Sequence, residues 1–315
     1  MLKSIVFFNE IPRAMDFHYD GRPVAIILLI AATLTLKAPV AGGANSVLTC
    51  RPEFANLTPK HTMCLEDSDK VMQSGVSRTD KKLILDFHNK VRREAMPKAT
   101  DLAALIWDDR LAEVAQKLTR QCRMYHDANR GIPYYDLSIG QNIAGGSLNW
   151  KRAMETWYKE KNLFKYGQDP KEYLGQGGWK KIGHYTQMVS HRAHRVGCGF
   201  ARCQNGRFYA CNYAQGQISF RFPYTNGTER CSACSSSCKN GLCDCKGKLC
   251  FNKGKLDINT CTCKCQKIYK GAECRTLECP QQDGRSCGGK WPESFCKKFS
   301  NVPFDCPYMC GKCPA

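Results

Sequence analysis

Twenty-two of the 315 residues are cysteine, and their placement restricts the fold more than any other feature. They fall into even groups: Cys50 and Cys64; then Cys122, Cys198, Cys203 and Cys211; ten from Cys231 to Cys274; six from Cys279 to Cys313. Each group can close on itself, as self-contained modules require, and such a count suits an oxidising compartment better than the cytosol. Zinc is the rival reading for the CxC runs at Cys243/Cys245 and Cys261/Cys263/Cys265. Reduced, metal-filled cysteines need a cytosolic protein, and the N-terminal sequence argues against one. Residues 24–36 form an apolar run behind Arg13 and Arg22 and ahead of the small residues Ala38, Ala41, Gly42, Gly43 and Ala44. That run is short of the ~20 residues that span a bilayer. Residues 1–43 therefore read as a signal peptide, with Met15 as an alternative start, and the protein is expected to be secreted and extracellular. Two acceptor sequons, at Asn56 and Asn226, suit a glycosylated extracellular surface.

The formal charge of +19 selects no partner alone, since anionic lipid, glycosaminoglycan, nucleic acid and acidic channel mouths all attract cations. No nucleic-acid module is visible, and nucleic acid is not expected as a partner.

Apolar periodicity sufficient for a large core occurs only in the middle of the chain. Behind the capping candidates Ser77 and Thr79, Ile84, Phe87, His88 and Val91 recur at helical spacing. A second stripe runs through Leu111, Val114, Ala115, Leu118 and Cys122, with His126 one turn further along. A third stacks Trp150, Ala153, Trp157, Glu160 and Phe164, which puts the Glu160 carboxylate on an apolar face, where it needs a partner. His184, His191 and His194 follow, the latter two read as surface histidines of one helix.

Asn205-Gly206 between alternating runs is a strong hairpin signal. A two-residue turn there sets Cys203 opposite Phe208 and Phe200 opposite Cys211. Cys198 and Cys211 then share a face as diagonal neighbours that need a bulge or twist to bond, whereas Cys203 points the other way, toward a helix, and Cys122 is the cysteine left for it. On the chain-entropy model the Cys122–Cys203 loop would contribute about 4.5 kcal/mol, against about 3 for Cys198–Cys211. Cys50 and Cys64 form the remaining early pair.

About 145 central residues resemble the CAP superfamily of cysteine-rich secretory proteins, antigen 5 allergens and pathogenesis-related proteins. The motifs are "HNKVR" at His88, "GQNI" at Gly140, "WYKE" at Trp157, "GHYTQMV" at Gly183 and "YACNY" ending at Tyr213. "HTMC" from His61 resembles the antigen 5 branch. The resemblance implies an α+β fold, an α-β-α sandwich followed by small disulfide-rich modules, and a cleft at His126, Gln141, Glu160 and His184. Gln141 stands where many members have Glu. Ile139 and Ala214 occupy the positions of a third core bridge common in that family, and Ser190 replaces its usual Trp. Two imidazoles could hold a weakly bound divalent cation such as zinc at His126 and His184, although no cofactor is required. A peptidase would need more: no HExxH motif and no nucleophile elbow is present.

Further on, "CSACSSSCKNGLC" from Cys231 resembles the hinge of cysteine-rich secretory proteins, "CKCQKIYKGAEC" ending at Cys274 an EGF-like half-module, and Cys279 to Cys313 a ShK-type toxin module. The implied organisation is a signal peptide at 1–43, an N-terminal extension at 44–78, a CAP domain at 79–226, a hinge plus EGF-like region at 227–276 and the ShK-type module at 277–315. From residue 239 onward twelve Lys and two Arg face seven acids, a net +7. Lys298 beside Phe299 offers the cation-plus-aromatic pair that can plug a cation pore. The expected function is binding of a membrane or extracellular protein, an ion channel among the candidates, as in a venom or other secretion. The alternatives are a sterol or lipid carrier and a metal-assisted peptidase using His126, Glu160 and His184.

Overall fold

The computed structural model describes residues 50–314, so the signal-peptide reading lies outside the described residues. After a short helix α1 (Pro52–Ala55) comes strand β1 (Val71–Ser74), then α2 (Arg78–Arg93), β2 (Ile106–Trp107) and α3 (Asp109–Thr119). Next follow β3 (Ile139–Gly145), α4 (Trp150–Lys159), α5 (Pro170–Leu174), α6 (Gly183–Met188), β4 (Arg195–Cys203) and β5 (Gly206–Ala214). Local chemistry sets the helix starts. The Ser77 hydroxyl accepts from the Asp80 N–H at the head of α2, Asp108 accepts from Arg110 and Leu111 at α3, and Asn149 accepts from Arg152 at α4. Thr79 lies inside α2, so of the two capping candidates Ser77 serves.

The sheet runs β1-β4-β5-β3 with antiparallel neighbours, and β2 adds in parallel to β4. One face carries α3; α2, α4 and α6 lie on the other, giving an α-β-α sandwich. Gly197 and Gly199 explain the close approach of α3: a Cβ at Gly197 would run into Asp108 and Ala112 backbone, and one at Gly199 into Gln116 backbone. The opposite face buries Trp157, Met154, Tyr213, Ile84 and Val91 in one apolar cluster. Arg92, fully buried, donates to the carbonyls of Ala103, Met188, Ser190 and Ala193, tying α2 to the turn after α6.

Four expectations need correction. The β4–β5 hairpin turns one residue earlier than an Asn-Gly turn requires: Cys203 pairs with Gly206, and Cys198 directly faces Cys211 with Cα atoms 4.0 Å apart. Gly206, at φ +141°, supplies the positive dihedral while Asn205 does not, as in a turn of the ordinary hand followed by glycine. No bulge is needed for the Cys198–Cys211 bond. Second, α3 ends at Thr119, so Cys122 and His126 follow it rather than extend it. Third, α6 ends at Met188, and both His191 and His194 lie in the connection to β4, where His191 bonds Asp101 at 3.1 Å and burial pulls His194 down to about 3. Fourth, β1 enters the sheet ahead of residue 79.

Every bridge joins cysteines of one group. Cys50 pairs with Cys64 and Cys122 with Cys203, and eight more bonds lie between Cys231 and Cys313. Among the described residues no cysteine is free, and the CxC cysteines are all oxidised. The tail adds hairpins β6 (Cys238–Lys239) with β7 (Leu242–Cys243), β8 (Lys255–Asp257) with β9 (Thr262–Lys264), and β10 (Tyr269–Lys270) with β11 (Thr276–Leu277), then α7 (Phe295–Lys298) and α8 (Val302–Asp305).

Packing, unlike sulfur, crosses the group boundaries. Leu242 joins the main core cluster, and Leu249 and Phe251 pack with Leu111, Ile132, Ile139, Ala214 and the N-terminal Phe54. Cys243 exchanges backbone bonds with Leu102 and Ala104, Arg195 donates to the Gly247 carbonyl at 2.6 Å, and the Arg275 guanidinium stacks 3.4 Å over Phe251. The last module attaches in turn through Phe304, which clusters with Ile268 and Tyr269, and through a Lys267–Asp305 ion pair.

Candidate functional site

The four cleft residues come from four different segments. His126 stands on the extended stretch after α3, Gln141 on β3, Glu160 at the C-terminal cap of α4, and His184 in the first turn of α6. The structure brings them into two linked pairs. His126 Nδ1 lies 3.1 Å from Gln141 Oε1, and His184 Nδ1 lies 2.6 Å from Glu160 Oε1. The two imidazole rings are 6.4 Å apart, inclined by 27°, and line a cavity of about 600 Å³ together with Arg130, Trp179 and Lys180.

The hydrogen-bond network decides the tautomers. Gln141 Oε1 also accepts from the Asp127 backbone N–H, while its Nε2 donates to Asn212 Oδ1 and Asn212 donates to the Leu111 carbonyl. Oε1 is therefore the acceptor for His126, which carries its proton on Nδ1. Glu160 can only accept when ionised; its second oxygen takes the Tyr185 N–H at 3.0 Å, and His184 likewise donates from Nδ1. Both histidines thus keep an Nε2 lone pair with no hydrogen-bond partner among the described residues. Burial pulls His126 below the ordinary histidine value, the bond to Gln141 opposes that shift, and the Arg130 charge, with that of His184 whenever it is protonated, adds to it.

This donor set fits a weakly held divalent cation: two neutral imidazoles, each oriented by an outer partner. Both Glu160 oxygens are engaged, so that residue orients His184 rather than completing a ligand set. Gln141 adds no negative charge, yet its amide donates to Asn212, which an ionised Glu could not do. Sequence reasoning missed Asn212, Asn142, which donates to the His184 carbonyl, and Trp157, whose ring stacks at 6.0 Å on His184. All three sit inside quoted motifs, but a motif does not tell which side chain meets which. His191 and His194 take no part in the cleft.

Of the other singled-out residues, Asn56 and Asn226 are exposed, as glycosylation requires. Lys298 and Phe299 are both exposed at the end of α7, with the ammonium 5.4 Å over the Phe299 ring and 5.8 Å over that of Phe295. Ile139 and Ala214 are cross-strand partners in the sheet.

Residues 85–213 match the model of the CAP family, described as the cysteine-rich secretory protein family. A cysteine-rich venom protein of Conus textile is 36% identical over 285 residues, spanning 84% of this chain and 90% of that protein. The chain belongs to the cysteine-rich secretory protein family. A second relative in the family, the cysteine-rich venom protein Mr30 of Conus marmoreus, is 34% identical over 277 residues, covering 84% and 91% of the two chains. Among solved structures, a venom allergen-like protein of Schistosoma mansoni is 27% identical with a TM-score of 0.40, covering 49% of this chain and 97% of that one. Among the described residues no helix is long and apolar enough to cross a membrane.

Proposed function

We propose that this family member is secreted and acts by contacting a membrane or extracellular protein, an ion channel foremost, through its basic tail, with the sandwich as scaffold. The observation that carries this reading is the exposed Lys298–Phe299 pair, presented on a three-bridge module that packs on the preceding tail segment through Phe304 and Asp305. A cation held beside an aromatic ring on a stiff support loses little side-chain freedom on binding, which favours insertion into an acidic mouth. The net +7 of the tail steers approach over roughly 8 Å in physiological salt. The test is current recording across a panel of channels with the full-length protein. Lys298→Ala and Phe299→Ala are each expected to weaken an effect at least ~10-fold, in keeping with loss of an interfacial anchor. Equal potency of both variants and the parent would defeat the reading.

A second reading is favoured by the two free Nε2 atoms: His126 and His184 hold a weakly bound divalent cation such as zinc, which would there supply a positive charge joining α6 to the segment after α3. Calorimetric titration of zinc into the protein, with and without His184→Ala, checks it; identical heats would remove it.

A further inference from the structure

Large apolar side chains exposed one at a time are ordinary on a protein surface. Trp179, Ile218 and Phe222 are different, because they belong to two neighbouring connections and the two rings among them are fixed by ring contacts. Trp179 is 48% exposed, Ile218 72% and Phe222 48%. Trp179 packs on Phe220 with centroids 5.3 Å apart, and Phe222 packs edge-on against Tyr166 at 5.5 Å. Arg221 donates to the Gly167 carbonyl and accepts from its N–H through its own backbone, which pins the loop. The rings are thus held from behind while their outer surfaces stay in water.

Each of the two outermost rings has a cation beside it. Lys180 lies 5.7 Å from the Trp179 centroid and Arg221 5.1 Å from that of Phe222. Lys181 follows Lys180, and the acids of the adjoining α5 segment are Asp169 and Glu172, one of which Lys171 offsets. A protein interface concentrates charge at its rim and depletes it at its centre. Here basic groups and aromatic rings are interleaved, the pattern that suits the headgroup level of a bilayer, where an indole or phenyl ring enters and ammonium and guanidinium groups stay with the phosphates.

We propose that this patch docks the protein on an anionic lipid surface. Trp179, Ile218 and Phe222 enter the headgroup boundary, and Lys180, Lys181 and Arg221 meet the lipid phosphates and carboxylates. Because Trp179 and Lys180 also line the His126/His184 cavity, the docked protein turns the mouth of that cavity toward the bilayer. This goes beyond the channel reading, since it needs neither the tail nor a protein receptor.

Co-sedimentation of the full-length protein with phosphatidylcholine vesicles, with and without phosphatidylserine, tests it. Binding is expected to the mixed vesicles, to weaken with salt, and to be quenched in fluorescence by brominated lipid, because Trp179 is the most exposed indole described. Trp179→Ala/Phe222→Ala should lower affinity at least ~10-fold, Ile218→Ser less, and Lys180→Gln/Lys181→Gln should reduce the preference for phosphatidylserine. Lys298→Ala should bind as the parent does. An unchanged disulfide map and circular dichroism spectrum show that the variants fold. The proposal is overturned if the parent ignores both vesicles, if the aromatic double variant binds as well as the parent, or if capture requires a protein embedded in the membrane.

Discussion

The sandwich and the tail solve one problem, holding a chain in a single shape, by different means. Between β1 and β5 two disulfides accompany a continuous apolar cluster with Trp157, Met154 and Tyr213 at its centre. Between Cys231 and Cys313 eight disulfides accompany only small clusters of the segment's own, such as Ile268, Tyr269 and Phe304, while Leu242, Leu249 and Phe251 pack against the sandwich. A segment of that size cannot bury enough apolar surface to offset its own chain entropy, so cross-links that restrict the unfolded state must do so. Covalent and apolar stabilisation are distributed in inverse proportion along this molecule.

Removing the tail bridges alone breaks that comparison most sharply. Each contributes about 2–4 kcal/mol, so a variant with the sixteen tail cysteines replaced by serine and the sandwich bridges intact should lose the dispersed amide signals of residues 231–313 while a cooperative transition survives in the sandwich. A tail that stays folded without its bridges would refute the contrast. Next in size is Trp157→Ala, which empties a fully buried site and strands the Ile143 carbonyl that the indole bonds at 2.9 Å. It should cost the sandwich about 3–5 kcal/mol in urea denaturation and leave the tail disulfide map unchanged.

Acid provides a third separation. Burial, joined by the nearby Arg92 charge and opposed by the bond to the Ile84 carbonyl, lowers His88 from 6.5 to about 4. As pH falls, the unfolded chain takes this proton first, so the sandwich loses stability from about pH 6.5 down to about 4, and this group contributes no further loss below that. The linkage amounts to about 3 kcal/mol. Residues 231–315 contain no histidine, so the tail should show no histidine-linked loss in that window, only the onset of carboxylate titration at its acid end. Denaturant midpoints read separately for the two regions at several pH values check this, and a His88→Gln variant should make the sandwich profile shallower, leaving the part carried by the lowered His194 and His126. The smallest expected effect lies between the regions: Arg275→Ala removes the stacking on Phe251 and should weaken tail docking by about 0.5–1 kcal/mol, seen as faster amide exchange at Leu249 and Phe251.

Patterns that depend on one segment were readable from the residues. The α2 stripe, the Ser77 cap, the even cysteine groups and the apolar setting of Glu160 all follow from local spacing. Features decided by tertiary approach were not. The hairpin register turned on which residue of Gln204-Asn205-Gly206 takes a positive φ. His126 leaves the helical phase because the chain after Thr119 runs toward Gln141, and no spacing rule announces that Leu249 and Phe251, set among cysteines, face Leu111. Half of the cleft was legible in the same sense: the four residues came from motif resemblance, whereas the roles of Asn212, Asn142 and Trp157 needed the network.

The distribution of sulfur has a further consequence for how the molecule breaks. Every bridge lies wholly within residues 50–211 or within 231–313, and none spans the stretch between. A protease nick in residues 123–197 leaves both fragments tethered through Cys122 and Cys203. A nick in residues 212–230 severs the last covalent link, and non-covalent contacts, the packing of Leu242, Leu249 and Phe251 with the bonds of Cys243 and Arg195, then set how long the two pieces stay together. Where the molecule is clipped decides whether it sheds its cysteine-rich end or carries it.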